Sequence, residues 1–470
     1  MKKVIVVYDD SRIPEREIKS ITGSRSFGNT IFKRISLRER IKNMLISIPY
    51  VSGFYMPEDI LERVASALKD AGKTPVFRFF SDFFIEDSDS VSVLIEKACY
   101  INEIYCVISG DRVAAVMYPD VESYKENLQE SDKRFERIES DAFVDLSDVN
   151  NFRRFITGGF DARFFNSLES GKYTVVKRSS NKEKIRAEYE YYRLLPEEMK
   201  MWYAVPFGYK ESEKDACYSM ERFFVTDLAL RYVHGAIDEE EFRMIMDKLF
   251  YFIKNRSLIP VTSERYQAEK KALYIDKVDE RINRLRELEQ FEILNGYIRT
   301  GTDYDSIDDI VNRYKRLYSS LTSKMKADTV LVVGHGDLCF SNILYNRDID
   351  LLKLIDPKGA LTEDKLYTDP CYDICKLSHS VMGEYDYFNS DLFGISIGDD
   401  MKLKLSVDSD NKKYKDIFKE YLLKNGFDPD IIRIYETSLF LSMLPLHIDR
   451  VKKVMGFILN AVRIMDELEG

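Results

Sequence analysis

Residues 332–345 read VVGHGDLCFSNILY. Two apolar runs bracket a short loop that holds one His, one Asp and one Asn. A second apolar run, LLKLID, follows and ends on Asp356. Short apolar runs broken by Gly and polar residues specify strand, loop and strand rather than helix. Asp and Asn close turns with their own side-chain hydrogen bonds, so a plain hairpin explains Asp337 and Asn342 by themselves. It does not explain a further carboxylate at the far end of the next strand.

The surroundings set the architecture. At 470 residues the chain is too long for one core, and domains of roughly 100–200 residues predict two or three units. KVIVVY (3–8), TPVFRFF (74–80), IYCVIS (104–109) and RVAAVMY (112–118) read as strands, the last two joined by a tight Gly-Asp turn. Helical spacing marks 36–47, 56–72 and 90–102. This alternation predicts an α/β domain over 1–140. The charged stretch 123–141 reads as a solvated helix or linker, and the boundary is placed there. The segments FRRFITGGFDARFFNSL and GKYTVVKRS then read as a hairpin-rich sheet, followed by a helix at 182–195. From about 236 the pattern is helical (238–254, 266–291, 305–324, 412–425, 430–467), interrupted only by the block at 329–356.

Composition narrows the function. The net charge of −10 argues against a nucleic-acid binder, which needs a basic face. Six cysteines without a CxxC pair read as reduced thiols that fill cores in the cytoplasm. The first apolar run is only strand-long, unlike a secretory signal. No apolar run approaches the ~20 residues of a membrane span.

The hairpin loop suits phosphoryl transfer. An attacking hydroxyl must be oriented and relieved of its proton by a carboxylate, and a nearby oxygen ligand must hold the metal that neutralises a triphosphate. Asp and Asn at D-x-x-x-x-N supply both from one loop, and Mg²⁺ prefers such hard oxygen donors. Asp356, at a strand end beside that loop, is placed to hold the same metal.

HGDLCFSN followed by LIDPKG resembles the aminoglycoside phosphotransferase and choline kinase family, which has a protein-kinase-like fold. The resemblance covers roughly 150–470. It implies Asp337 as catalytic base, Asn342 as metal ligand and Asp356 as principal metal ligand. His335 would brace the loop. Asp373, in DPCYDICKLSH, would support it from the segment that follows.

The same resemblance organises the upstream half. Gly158 and Gly159 sit at a hairpin turn where backbone can approach phosphates. Lys177 ends the strand YTVVKRS and offers a point charge to the α- and β-phosphates. In KIRAEYEYYRLLP, Ile185, Tyr189, Tyr192 and Leu195 mark an inward face. Glu188 lies near it and would pair with Lys177, with Glu190 the competitor. CYSMERFF resembles the hinge between lobes, with the backbone of Met220, Glu221 and Arg222 facing adenine. The predicted layout is thus a nucleotide-binding sheet over 141–222 and a helical acceptor-binding lobe over 223–470. Lys358, in DPKGA, stands where many relatives carry an acidic or aromatic residue; it reads as a surface charge or a contact to a phosphate or substrate anion.

ATP, Mg²⁺ and a small-molecule acceptor are the implied ligands. GEYDYFNSDLFGISI (383–397) mixes aromatics and acids; it reads as an ordinary lobe-packing loop or as a grip for a cationic or polyhydroxylated acceptor. TDLALRYVHG and YTDPCYDICKLSHS resemble phosphotransferases encoded with bacterial surface-polysaccharide enzymes, which points to a sugar, polyol or amino alcohol. The first domain faintly resembles nucleotidyltransferases, with Lys33 and Asp82 as candidate site residues. It reads as an active transferase, a degenerate one, or an unrelated interaction domain. Two other functions stay open at this level: a fused kinase and nucleotidyltransferase, and a nucleotide-binding pseudokinase.

Overall fold

The run VIVVYD, Val4–Asp9, is buried at every position. That suits a central strand covered on both faces. A computed structural model describes residues 2–32, 34–60, 73–128, 135–156, 168–170, 173–323 and 329–470. The chain divides into two units, Met1–Phe164 with His234–Ala236, and Phe165–Val233 with Ile237–Gly470.

The first unit is α/β. Its sheet runs in the order Val51–Tyr55, Val4–Asp9, Val76–Phe80, Arg112–Tyr118, Tyr105–Ser109, Glu136–Glu139. The first three strands are parallel. Arg112–Tyr118 runs against both of its neighbours. Gly110, at φ +58°, turns the hairpin between Tyr105–Ser109 and Arg112–Tyr118.

This unit runs past the expected boundary at 140. Glu136–Glu139 pairs with Tyr105–Ser109 as the outermost strand of the sheet. Phe143–Asp145 pairs with Phe83–Ile85. The charged text around 136 therefore carries an edge strand, where charges face water and discourage further pairing. Residues 152–156 are not strand either. They belong to the helix Val149–Ile156, which buries Phe152, Phe155 and Ile156 at helical spacing. Of the helix expected over 56–72, Pro57–Asp59 is helical and 61–72 lie outside the described residues.

The second unit begins with an antiparallel sheet in the order Leu168–Ser170, Thr174–Ser179, Ala216–Glu221, Pro206–Glu211. The helix Lys182–Leu194 packs on it. Ile185, Glu188, Tyr191 and Leu195 are buried. Ile185 and Leu195, with Glu188 near them, match the expected inward face; Tyr189 and Tyr192, also expected there, are partly buried against the cores, and Tyr191 was not expected.

The rest is mainly helical around one apolar core. Ile431–Ser442 of the helix Pro429–Ser442 is buried all round, as a central helix must be. Among the described residues three short pairings break the expected helical run besides the block at 329–356. Leu258–Pro260 and Tyr367–Thr368 both pair with Val330–Val333, and Phe393–Ile397 pairs with Leu403–Val407. The segment 383–397 is not an open aromatic patch: Tyr387, Phe388 and Phe393 are buried, and Glu384 is held by Lys415 and Arg463.

Candidate active site

The hairpin Ile343–Asn346 with Leu351–Leu354 brings Asn342 and Asp356 to one end. Ile355 N donates to Asn342 O at 3.0 Å, just beyond the last strand pair. Asp356 then takes φ +56°. Asp tolerates the left-handed region better than most residues, and such backbone clusters at functional sites.

The loop before this hairpin is held from beneath. Asp373 is fully buried and accepts from His335 N at 2.9 Å and Gly336 N at 2.8 Å. Arg256 donates to the same carboxylate at 2.9 Å and to Pro370 O. His335 Nδ1 accepts from Asp337 N, and its Nε2 donates to Ile355 O at 2.9 Å. Burial holds this imidazole below its usual range, against the pull of Asp373, so the ring is neutral and ties the loop to the hairpin. Tyr203 stacks on it.

Asp337 itself is half-exposed. Its backbone oxygen and its carboxylate both accept from Asn342 Nδ2, at 2.8 and 3.1 Å. Lys376 Nζ lies 2.9 Å from Asp337 Oδ1. Burial pushes this carboxyl up, but Lys376, His335 and Asn342 more than reverse that and hold it below the usual carboxylate range. Asp337 is therefore ionised at neutral pH.

Lys177 stands opposite Tyr218 in the sheet. Its ammonium lies 2.7 Å from Glu188 Oε2 and 2.9 Å from Asp356 Oδ1. One cation thus joins the sheet, the helix and the end of the hairpin. Burial favours the neutral amine, yet Asp356 and Glu188 raise its pKa. Tyr218 Oη also donates to Glu188 Oε2 at 3.2 Å, which fixes the buried carboxylate. An open cleft of about 320 Å³ lies here, lined in part by Glu188, Tyr203, Ala204, Tyr218, Met220, Leu354 and Asp356.

The segment after Asp356 clamps the helix. Ala360 N donates to Ala187 O at 3.0 Å. Gly359 sits at φ +91°, and a β-carbon there would stand 2.8 Å from the backbone of Ala187 and Glu188. Gly359→Ala is expected to destabilise the protein by about 1–3 kcal/mol through overpacking and strain. It should also loosen the Lys177–Glu188 pair. Thermal denaturation of the variant checks the loss of stability.

Other expected site residues fare differently. Gly158, Gly159 and Lys33 lie outside the described residues. The amides of Glu221 and Arg222 are already used, donating to Val205 O and Tyr173 O, while Met220 lines the cleft. In the first unit Asp82 is buried, and its carboxylate is held by Arg12 at 2.9 Å and Arg112 at 2.5 Å. Two guanidiniums on one carboxylate suit a structural role better than a metal ligand. The sequence reading missed Lys376, Arg256 and Tyr191, whose Oη donates to Gly334 O beside the loop. Lys376 had a signal: it is three residues after Asp373 on the helix Tyr372–Val381, within reach of the same loop.

Asn342 and Asp356 form a small, hard oxygen set that fits Mg²⁺ completed by phosphate oxygens and water. Among the described residues no group of three or more His, Cys, Asp or Glu side chains forms a metal cage.

No family model matches the chain, and no curated protein matches it. Solved structures do. A thermostable mutant of aminoglycoside phosphotransferase APH(4)-Ia, in ternary complex with ADP and hygromycin B, is 11% identical over 66% of this chain and 98% of that one, with a TM-score of 0.41. Aminoglycoside phosphotransferase APH(3'')-Id from Streptomyces rimosus ATCC10970, in complex with ADP and streptomycin, is 14% identical over 64% and 98%, with a TM-score of 0.33. Scores below 0.5 assign neither a fold nor an activity to this chain.

Proposed function

We propose that the second unit is a small-molecule phosphotransferase that moves the γ-phosphoryl group of ATP to an alcohol. The observation that carries this is the meeting of Lys177, Glu188 and Asp356 within 2.9 Å at the end of the hairpin whose loop presents Asp337 and Asn342. Lys177 would bind phosphate oxygens while Glu188 keeps it in place. Asn342 and Asp356 would hold Mg²⁺, which supplies charge neutralisation at the phosphates. Asp337 would orient the acceptor hydroxyl and take its proton. The acceptor oxygen forms a bond to the γ-phosphorus, the bond from that phosphorus to the bridging oxygen breaks, and ADP leaves. Positioning and fixed charges carry the rate.

The polysaccharide-linked sequence resemblance puts sugars and polyols first among acceptors. The test is ATP consumption across a panel of sugars, polyols and amino alcohols with Mg²⁺. Lys177→Met should raise the Kd for ATP at least about tenfold, the order expected when a charged phosphate contact is lost. Unaltered ATP affinity in that variant, with no acceptor consumed by the wild type, would sink the reading.

Lys376 gives a pH prediction. Its ammonium opposes the upward push of burial on Asp337, so Lys376→Met leaves that push unbalanced. The acid limb of the kcat/KM profile, which reports the free base, should move to higher pH. A variant slowed equally at all pH values would mean that Lys376 only shapes the loop.

A further inference from the structure

Lys376 pairs with Asp337, Lys277 bonds Tyr372 on the same helix, and the stem of Lys358 packs on the loop at Gly336; none belongs to the phosphate-binding set just described. Lys376 Nζ lies 2.9 Å from the Asp337 carboxylate. One turn earlier on the same helix face, the Tyr372 hydroxyl accepts from Lys277 Nζ at 2.9 Å. Lys358 approaches from the other segment. Its amide donates to His335 O at 2.9 Å. Its side-chain stem lies against Gly336, where an added β-carbon would stand 2.6 Å from Lys358 Cβ. Lys376 is matched by Asp337. Among the described residues, Lys277 and Lys358 have no carboxylate within ion-pair distance.

The buried acids Asp373, Asp369 and Glu384 are committed elsewhere. Asp373 serves Arg256 and two amides. Asp369 accepts from Tyr266 and Tyr274. Glu384 is paired with Lys415 and Arg463. Burial pushes the phenols of Tyr203, Tyr274 and Tyr314 well upward. Tyr372 is as deeply buried, yet Lys376, Lys277 and Lys358 together bring it below its ordinary value.

We propose that the acceptor is an anion: a hydroxyl compound carrying a carboxylate or phosphate group, which Lys277 and Lys358 bind while Asp337 engages the hydroxyl. This rests on the phosphotransferase reading and narrows its acceptor class. Two lysine point charges without acidic partners favour an oxyanion over a neutral polyol and repel an amino alcohol. The nucleotide already has Lys177.

The test compares ATP consumption with matched acceptors: glucose, glucosamine, glucuronate and glucose 6-phosphate, then the glycerol, ethanolamine, glycerate and glycerol 3-phosphate series. Turnover should favour anionic members, the carboxylate and phosphate arms separating the two sources of charge. Lys277→Met and Lys358→Met should each raise the KM for the preferred anion about tenfold or more, with the KM for ATP little changed. A neutral or cationic member with the highest kcat/KM overturns the proposal. So does a rise in the KM for ATP instead of the acceptor. If no member turns over, the phosphotransferase reading fails on this panel, and calorimetric titration of the full chain with inorganic phosphate decides the anion site separately. Binding that is lost in the Lys277→Met/Lys358→Met double variant upholds the site. Binding that is absent in the wild type, or equal in both proteins, refutes it.

Discussion

Asp337→Asn lowers kcat/KM by about 10²–10⁴-fold while nucleotide affinity stays nearly constant; this is the expected result if Asp337 is the base. The substitution keeps the size of the side chain and the backbone oxygen that accepts from Asn342 Nδ2. It removes the charge that faces Lys376 and the ability to take a proton. Lys177, Glu188 and Asp356 are untouched, so ATP should bind as before. Steady-state kinetics with a turned-over acceptor and a nucleotide titration separate the two effects. A variant with wild-type kcat would remove Asp337 from the chemistry, whatever the fold.

The second large effect is on stability. Arg256 and Asp373 are both almost completely buried, and their ion pair measures 2.9 Å. Breaking a buried pair by removing one partner costs about 3–5 kcal/mol, because the other charge stays buried without compensation. Arg256→Met should therefore lower Tm on the order of 10 °C. The activity of the folded fraction should fall as well, since the same Asp373 carboxylate holds the amides of His335 and Gly336. Arg256→Met/Asp373→Leu removes both charges and should cost less than the sum of the two single changes. Calorimetry on the four proteins gives the coupling. Additive losses would show that the pair does not act as a unit.

The contrast between these sites shows how far the text of the chain could be read. The loop chemistry of residues 335–342 and the carboxylate at 356 were legible, because a strand–loop–strand pattern places its polar residues by local geometry alone. The lysine at 177 and its pairing with Glu188 were legible through the family resemblance, which asks for a strand lysine and a helix acid. Of the inward face of that helix, Ile185, Leu195 and Glu188 were legible and Tyr191 was not. The charged stretch 123–141 begins in a helix, Val121–Glu126, as one of its two readings had it, but its end misled, because the edge strand Glu136–Glu139 carries the same residues as a solvated linker. For the segment 383–397 the lobe-packing reading holds, since Tyr387, Phe388 and Phe393 are buried.

The sequence by itself determined which groups could do chemistry: a carboxylate and an amide in one loop, a second carboxylate at a strand end, and an amine on an early strand. Local periodicity and turn preference are enough for that, since each depends on residues only a few positions apart. Tertiary structure alone decided what surrounds them. Arg256 beneath Asp373 and Lys277 on Tyr372 come from segments far apart in the chain. Their charges act through space, and no spacing rule along the sequence encodes a distance between helices.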